Sequence, residues 1–239
     1  MNPIPILLYH QIDVPPARGT PLRGLVVSPR GFAWQMAMLS ALGFQGLSMR
    51  DLEPYLDGRR QGRVVGITFD DGYQNNFDHA LPILRRHGHT ATCYAVSSLI
   101  GQTNVWDAGV VAPKPLMDRD HWLRWIDAGM DVGSHTQHHI DLTATDDPLC
   151  MAEMTQSKEE LETQLGTEVR HFCYPYGRFE PRHVEMAKAA GYLTATTMRR
   201  GRVGPQHDRW ALPRVLVACA TYPWHMGLKL LTRYEDRRG

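Results

Sequence analysis

The sequence predicts an α/β fold: a distorted (β/α) barrel of seven to eight parallel strands, in a single domain over residues 1–239. Three observations predict it. Short apolar runs alternate with helical patterns along the whole chain, which argues for a parallel sheet covered by helices. Seven or eight such units in 239 residues suit one barrel better than an open doubly wound sheet, because α/β barrels of this length are routinely one domain. No G-x-G-x-x-G follows any strand candidate, so a dinucleotide-binding sheet has no positive support.

The elements follow in order. Ile4–Tyr9 reads as a strand, too short for the core of a secretion signal. Ser28-Pro29 supplies an N-cap and a first-turn proline for a helix that ends at Gly43. Phe44–Leu47 is a short strand, after which Ser48 caps a helix with Asp51 three residues on. Val64–Phe69 is rich in β-branched residues and reads as a buried strand. Asp78–His87 looks helical and stops at Gly88, and Ala91–Val96 is a strand. The stretch 101–118 has no periodicity and is long for a plain connection, which suits a lid or substrate loop. Asp120–Ala128 is helical and Met130–Ser134 a strand; Asp147–Leu165 carries the longest helical pattern. Phe172–Tyr174, Tyr192–Thr197 and Val215–Val217 are further strands, with the helix Pro181–Ala190 between the first two.

Composition narrows the functional classes. Hydrophobic residues make up 43% and charged residues 21% of the chain, as in an ordinary globular protein. A net charge of +1 gives no strong pull on nucleic acid or on a membrane surface. Basic residues at Arg199-Arg200-Gly201-Arg202 and Arg237-Arg238 read as a solvated loop and tail. The cysteines at 93, 150, 173 and 219 show no C-x-x-C spacing and read as free thiols rather than a disulfide framework. No apolar run reaches membrane-spanning length. These readings give a cytoplasmic location as the expectation; oligomeric state has no sequence signal.

Barrel chemistry is built where strands end. Here His10 follows the first strand, Asp70-Asp71-Gly72 the third, His135 with His138 and His139 the fifth, and Pro175-Tyr176-Gly177 the sixth. Adjacent carboxylates repel, so burying Asp70 and Asp71 together makes sense if one ligates a metal and the other stays free as a base. Histidines four apart on a helical turn face the same way, so His135 and His139 can share one ion; His138 competes, since a spacing of three also faces that side. Two imidazoles and one carboxylate leave positions open for water and substrate, as a catalytic metal needs.

Thr68-Phe69-Asp70-Asp71-Gly72, then Ser134-His135-Thr136-Gln137-His138-His139 with Asp141-Leu142, then Tyr174-Pro175-Tyr176-Gly177, resemble the polysaccharide deacetylases, carbohydrate esterase family 4. The resemblance spans roughly Ile4 to Val217. It implies one divalent metal, zinc by default, held by Asp71, His135 and His139, with Asp70 as general base and the Tyr176 backbone N–H as oxyanion donor. The substrate it implies is an N-acetylated glycan or sugar precursor. This chain departs from the usual pattern twice. Cys173 stands where the third motif carries an arginine that orients the base, and Arg214 is the expected replacement. The usual Leu-x-His near the C-terminus is missing, while Leu8-Tyr9-His10 opens the chain. That arrangement is similar to the circularly permuted branch of poly-N-acetylglucosamine deacetylases and assigns the general acid to His10, with His225 as rival. Trp106, Tyr176 and Trp210 are candidate sugar-stacking faces. Two other readings of the same residues are a hydrolase of cyclic amides and a glycan binder without turnover.

Overall fold

The computed structural model describes residues 3–238. In chain order its strands are β1 (Ile6–Tyr9), β2 (Gln11–Ile12), β3 (Val26–Val27), β4 (Gln45–Leu47), β5 (Val64–Phe69), β6 (Thr92–Ala95), β7 (Asp131–Ser134), β8 (His171–Cys173), β9 (Thr194–Arg200) and β10 (Leu212–Leu216). Its helices are α1 (Pro29–Ala41), α2 (Met49–Leu56), α3 (Leu81–Arg86), α4 (Arg119–Asp127), α5 (Asp147–Leu165), α6 (Pro181–Ala189) and α7 (Pro223–Leu231). β5 to β10 pair in chain order, and β1 closes the ring by pairing with β10 on one edge and β5 on the other. The result is a closed parallel barrel of seven strands. An eighth strand, β4, pairs only with the first half of β5 and stays outside the ring.

Every residue of β5 is buried, as a parallel strand between a filled interior and a helical layer requires. Strand alternation sorts the side chains. Leu7, Tyr9, Ile67 and Phe69 join the large core with Phe32, Met36 and Leu39 of α1 and Trp122 and Trp125 of α4. Ile6, Tyr94, Cys173 and Leu212 form a separate cluster. Helix ends obey their local signals: Ser28 Oγ accepts from Gly31 N at 3.1 Å, Ser48 Oγ from Asp51 N at 3.1 Å, and Asp146 from Leu149 N at 3.0 Å. Gly166 ends α5 at φ 64°, the left-handed C-terminal stop that glycine takes at little cost.

The structure departs from the expected elements at four places. The helix read over Asp78–His87 begins as a π-helical turn, Asn76–Ala80, and turns α-helical only at Leu81; Pro82 has no N–H and breaks the ladder between the two. The last strand is Leu212–Leu216 rather than Val215–Val217. Pro213 hid its first half, and the register with β9 shifts between Leu212 and Arg214. The β2–β3 pair is two residues long in each strand, too short to leave a period. α7 has no counterpart among the expected elements. The stretch 101–118 carries a single 3₁₀ turn, Val105–Asp107, and bridges back to Tyr73 through Leu116.

All four cysteines are free. The basic run at 199–202 is partly neutralised, with Arg200 on Glu235 at 2.8 Å and Arg202 on Asp236 at 2.7 Å. No helix among the described residues is long and apolar enough to cross a membrane.

Candidate metal centre and active site

The polar residues that follow β1, β5, β7 and β8 meet at one end of the barrel. Asp71, His135 and His139 are all buried, and their donor atoms lie within 4.8 Å of one another. Asp71 Oδ1 stands 3.4 Å from His135 Nε2 and 3.3 Å from His139 Nε2. Ligand atoms at about 2.0–2.1 Å from one tetrahedral ion stand roughly 3.3–3.4 Å apart, so these separations fit a metal without rearrangement. The tautomer of His135 points the same way. Its Nδ1–H donates to the Cys173 carbonyl at 2.7 Å. A carbonyl only accepts, so Nδ1 carries a proton and Nε2 is the nitrogen turned to the Asp71 carboxylate, the one available to an ion once deprotonated. A cation at that point, either a proton on Nε2 or a metal ion, joins the imidazole to the carboxylate. Two neutral imidazoles and a carboxylate form a donor set suited to zinc and to similar divalent ions.

The histidines do not reach this geometry on a helical turn, as their spacing suggested. The segment from His135 to His139 is a loop with two left-handed residues, Thr136 at φ 66° and His139 at φ 58°. These reversals turn His135 and His139 to one point. His138, the competitor by spacing, is turned away: its Nδ1 lies 2.6 Å from Glu153 Oε1 and its side chain is 55% exposed. A helical period was the wrong template; the loop brings together the pair that the resemblance implied.

Asp70 lies beside the centre, 3% exposed. Arg214, 1% exposed, reaches it with both terminal nitrogens: Nη1 donates to Oδ1 at 2.6 Å and Nη2 to Oδ2 at 2.7 Å. The guanidinium is itself fixed by Nε donating to Thr197 O at 2.8 Å and Nη1 to Thr68 Oγ1 at 3.1 Å. Burial works to raise the pKa of Asp70, but the Arg214 charge and its hydrogen bonds outweigh it and hold the carboxyl below the usual carboxylate range. Burial likewise opposes the Arg214 charge, and Asp70 overcomes it. Cys173 Sγ fills the space alongside, 3.2 Å from Arg214 Nη2 and 3.6 Å from Asp70 Oδ2.

The remaining expected residues divide. His10 is buried at 8% exposure; its carbonyl accepts from Asn76 Nδ2 at 2.8 Å, and its Nδ1 has no hydrogen-bond partner among the described residues. It is near enough for its charge to help lower both Asp70 and Asp71. Tyr176 is left-handed at φ 57°, and the turn around it is closed by Gly177 N to Tyr174 O and Arg178 N to Pro175 O, which leaves the Tyr176 N–H outside the turn's own bonds. Its ring sits edge-on to His139 with centroids 4.6 Å apart, while Trp106 stacks on the same imidazole at 4.3 Å and 21°. Neither the His225 ring nor the Trp210 ring packs on the ligand trio. His225 belongs to an outward group with Tyr222 and Trp224. Trp210 precedes β10, away from the strand ends that carry the centre, and its Nε1 donates to Tyr192 O at 2.7 Å.

Of the five non-glycine residues with positive φ among the described residues, four are Asp71, Thr136, His139 and Tyr176, all at this cleft. Such conformations cost about 1–3 kcal/mol each and persist only where surrounding contacts over-determine them. Gly72 continues the reversal after Asp71 at φ 75°, and a Cβ there would stand 3.0 Å from Trp122.

A closed parallel barrel with a buried carboxylate–imidazole centre and an arginine-clamped carboxylate beside it is the framework of a hydrolytic site. The family model for polysaccharide deacetylases matches residues 57–195, and the chain belongs to that family. It is 28% identical to YxkH of Bacillus subtilis, a protein named as a polysaccharide deacetylase, over 90% of this chain and 71% of that one. It is 25% identical to the poly-beta-1,6-N-acetyl-D-glucosamine N-deacetylase of Staphylococcus epidermidis, over 82% of this chain and 70% of that one. The fold matches that of the Streptococcus pyogenes deacetylase PplD, solved with acetate, with a TM-score of 0.83 and 24% identity over 95% of this chain and 98% of that one.

Proposed function

We propose that the protein is a metal-dependent hydrolase that removes the acetyl group from an N-acetylated amino sugar or glycan. The observation that carries this is the juxtaposition of two units: a ligand trio with edges of 3.3 and 3.4 Å, and a separate buried carboxylate held by a bidentate arginine. A metal site alone would suit a binding protein. Membership of the polysaccharide deacetylase family supports the glycan, and the staphylococcal relative's name supports an N-acetyl group as the one removed.

Asp71, His135 and His139 would hold the ion, zinc by default. A divalent cation there supplies Lewis acidity to the acetamide carbonyl and to the attacking water. Asp70, ionised and aimed by Arg214, takes the proton from that water. The Tyr176 backbone N–H donates to the oxygen that gains charge as the carbonyl carbon becomes tetrahedral. His10, protonated, donates to the amide nitrogen as the C–N bond breaks, because an amine leaves poorly without a proton. Acetate and the amino sugar are the products. Trp106 and Tyr176 flank the His139 imidazole and present rings to a sugar at the mouth of the cleft.

The test is metal content and acetate release measured together, with N-acetylglucosamine oligomers as substrate. About one divalent ion per chain is expected, with acetate released and release abolished by a chelator and restored by zinc. A protein that carries the ion and releases acetate from no N-acetylated sugar would overturn the assignment. The role of His10 has a sharper signature. His10→Gln is expected to slow acetate release from the sugar amide about 10²-fold. Hydrolysis of an aryl acetate, whose phenolate leaves unprotonated, should change less than about threefold. Equal losses on both substrates would remove His10 from the acid role.

A further inference from the structure

The loop that aims His135 and His139 is held from behind by one face of α5. Glu153, Ser157 and Glu160 stand at i, i+4 and i+7 on that helix, so they share a face. Glu153 is 2% exposed. Its Oε2 accepts from the backbone N–H of both Gln137 and His138, each at 2.9 Å, and its Oε1 meets His138 Nδ1 at 2.6 Å. Ser157 Oγ pairs with Ser134 Oγ at 2.8 Å, at the residue before His135. Glu160 accepts from Gln137 Nε2 and from Ser97 Oγ, each at 2.5 Å. Ser98 then grips Gln137 O with its N–H at 3.1 Å and its hydroxyl at 2.6 Å.

The two N–H groups on Glu153 belong to the residues between the left-handed Thr136 and the left-handed His139. Inside the loop the His139 N–H donates to Thr136 Oγ1 at 2.9 Å, and from outside it the Ser97 N–H donates to Thr136 O at 3.2 Å. The carboxylate shared by the two amides in between is what ties both reversals to α5. We propose that Glu153 is a positioning residue for the metal centre: it clamps the 136–139 loop so that the His139 imidazole is presented to the ion, and it thereby sets metal affinity without touching the ion. In the same clamp His138 is a strap rather than a ligand. The inference rests on the reading of Asp71, His135 and His139 as ligands.

The experiment reads the affinity of the full chain for Zn²⁺ and Co²⁺ by competition with a chromophoric chelator, alongside the melting temperature of the metal-free protein. Wild type tests the ligand reading by itself: if it binds neither ion, that reading falls and this inference with it. If wild type binds, Glu153→Ala is expected to weaken affinity about tenfold, the low end of what losing a ligand's own hydrogen-bond partner costs, because Glu153 acts one step further out through the loop backbone. Glu153→Gln keeps one oxygen for the two amides and should recover most of that loss, remaining about threefold weaker than wild type. His138→Ala should bind within about threefold of wild type, which no ligand would allow. Leu161→Ala, a core truncation on the same helix, lowers the melting temperature and should leave affinity unchanged. If Glu153→Ala binds as tightly as wild type, or if Leu161→Ala weakens binding as much as Glu153→Ala does, Glu153 is not a positioning residue. If Glu153→Ala does not fold, Glu153→Met, which keeps the side-chain bulk without an acceptor, decides, and binding within about threefold of wild type in that variant overturns the proposal.

Discussion

Asp70→Asn is expected to keep the wild-type metal content and to lose about 10² to 10⁴ in the rate of acetate release, the usual contribution of a general base. The expectation rests on separation of roles. Asp71 Oδ1 is the oxygen that meets both imidazoles, while both oxygens of Asp70 are taken by Arg214. Asparagine preserves shape and keeps one acceptor. It cannot take a proton, and its amide N–H₂ points a donor at the guanidinium. Metal analysis beside an acetate assay separates the outcomes. Loss of metal with loss of turnover would make Asp70 part of the ligand set, with His135 and Cys173 beside it. Retained turnover would mean that another group is the base.

Arg214→Met should cost both stability and activity. Removing one partner of a buried ion pair leaves the other charge without compensation, about 3–5 kcal/mol, and Asp70 and Arg214 are 3% and 1% exposed. The pH dependence has a definite sign. In the wild type the folded pKa of Asp70 lies below its ordinary value. The pair therefore contributes stability that is complete above the unfolded carboxylate's pKa and is lost as pH falls through the folded one. In the variant burial remains and the opposing charge is gone, so the folded pKa rises above the ordinary value and acidification relieves the strain. The stability gap between the two proteins, read from urea melts, should be widest at neutral pH, begin to narrow as pH falls through the variant's raised Asp70 pKa, and go on narrowing through the unfolded carboxylate's pKa to the lowered wild-type one. The acid limb of the rate profile should move upward at the same time. Arg214→Lys should fall between, since an ammonium cannot make the two-pronged contact. A gap that does not change with pH would mean that Arg214 acts by packing alone.

The sequence makes the barrel legible because its strands are buried on both faces and its helices start with Ser-Pro or Asp-Asp-Pro signals. Those are local rules, and the fold follows them at α1, β5 and α5. Legibility fails where local rules are broken by a neighbour. Pro213 inside β10 and Pro82 at the head of α3 each removed a donor and moved an element boundary. The site was legible as a set of residues and not as a geometry. Asp71, His135 and His139 announce themselves by chemistry, yet the loop that joins the histidines contradicts the helical spacing that first paired them. Arg214 could be named because a missing arginine at 173 left a role open; its reach across the barrel to Asp70 depends on β10 lying near β5 in the closed ring, which no window of sequence contains. Glu153 went unseen. A glutamate in a long helical pattern reads as a solvated charge, and only the folded chain shows that its face of α5 is turned inward.

Four left-handed side chains at the cleft have a consequence for how this protein changes over time. Its least relaxed backbone and its chemistry occupy the same residues, so heat resistance and turnover pull on the same codons in opposite directions. A laboratory lineage selected only for survival at high temperature would be expected to relax Thr136 and Tyr176 early, towards glycine or asparagine, and to arrive at a sturdier barrel with an idle mouth. Lineages that must still turn over substrate would collect their stabilising changes in the helical layer and leave these positions alone.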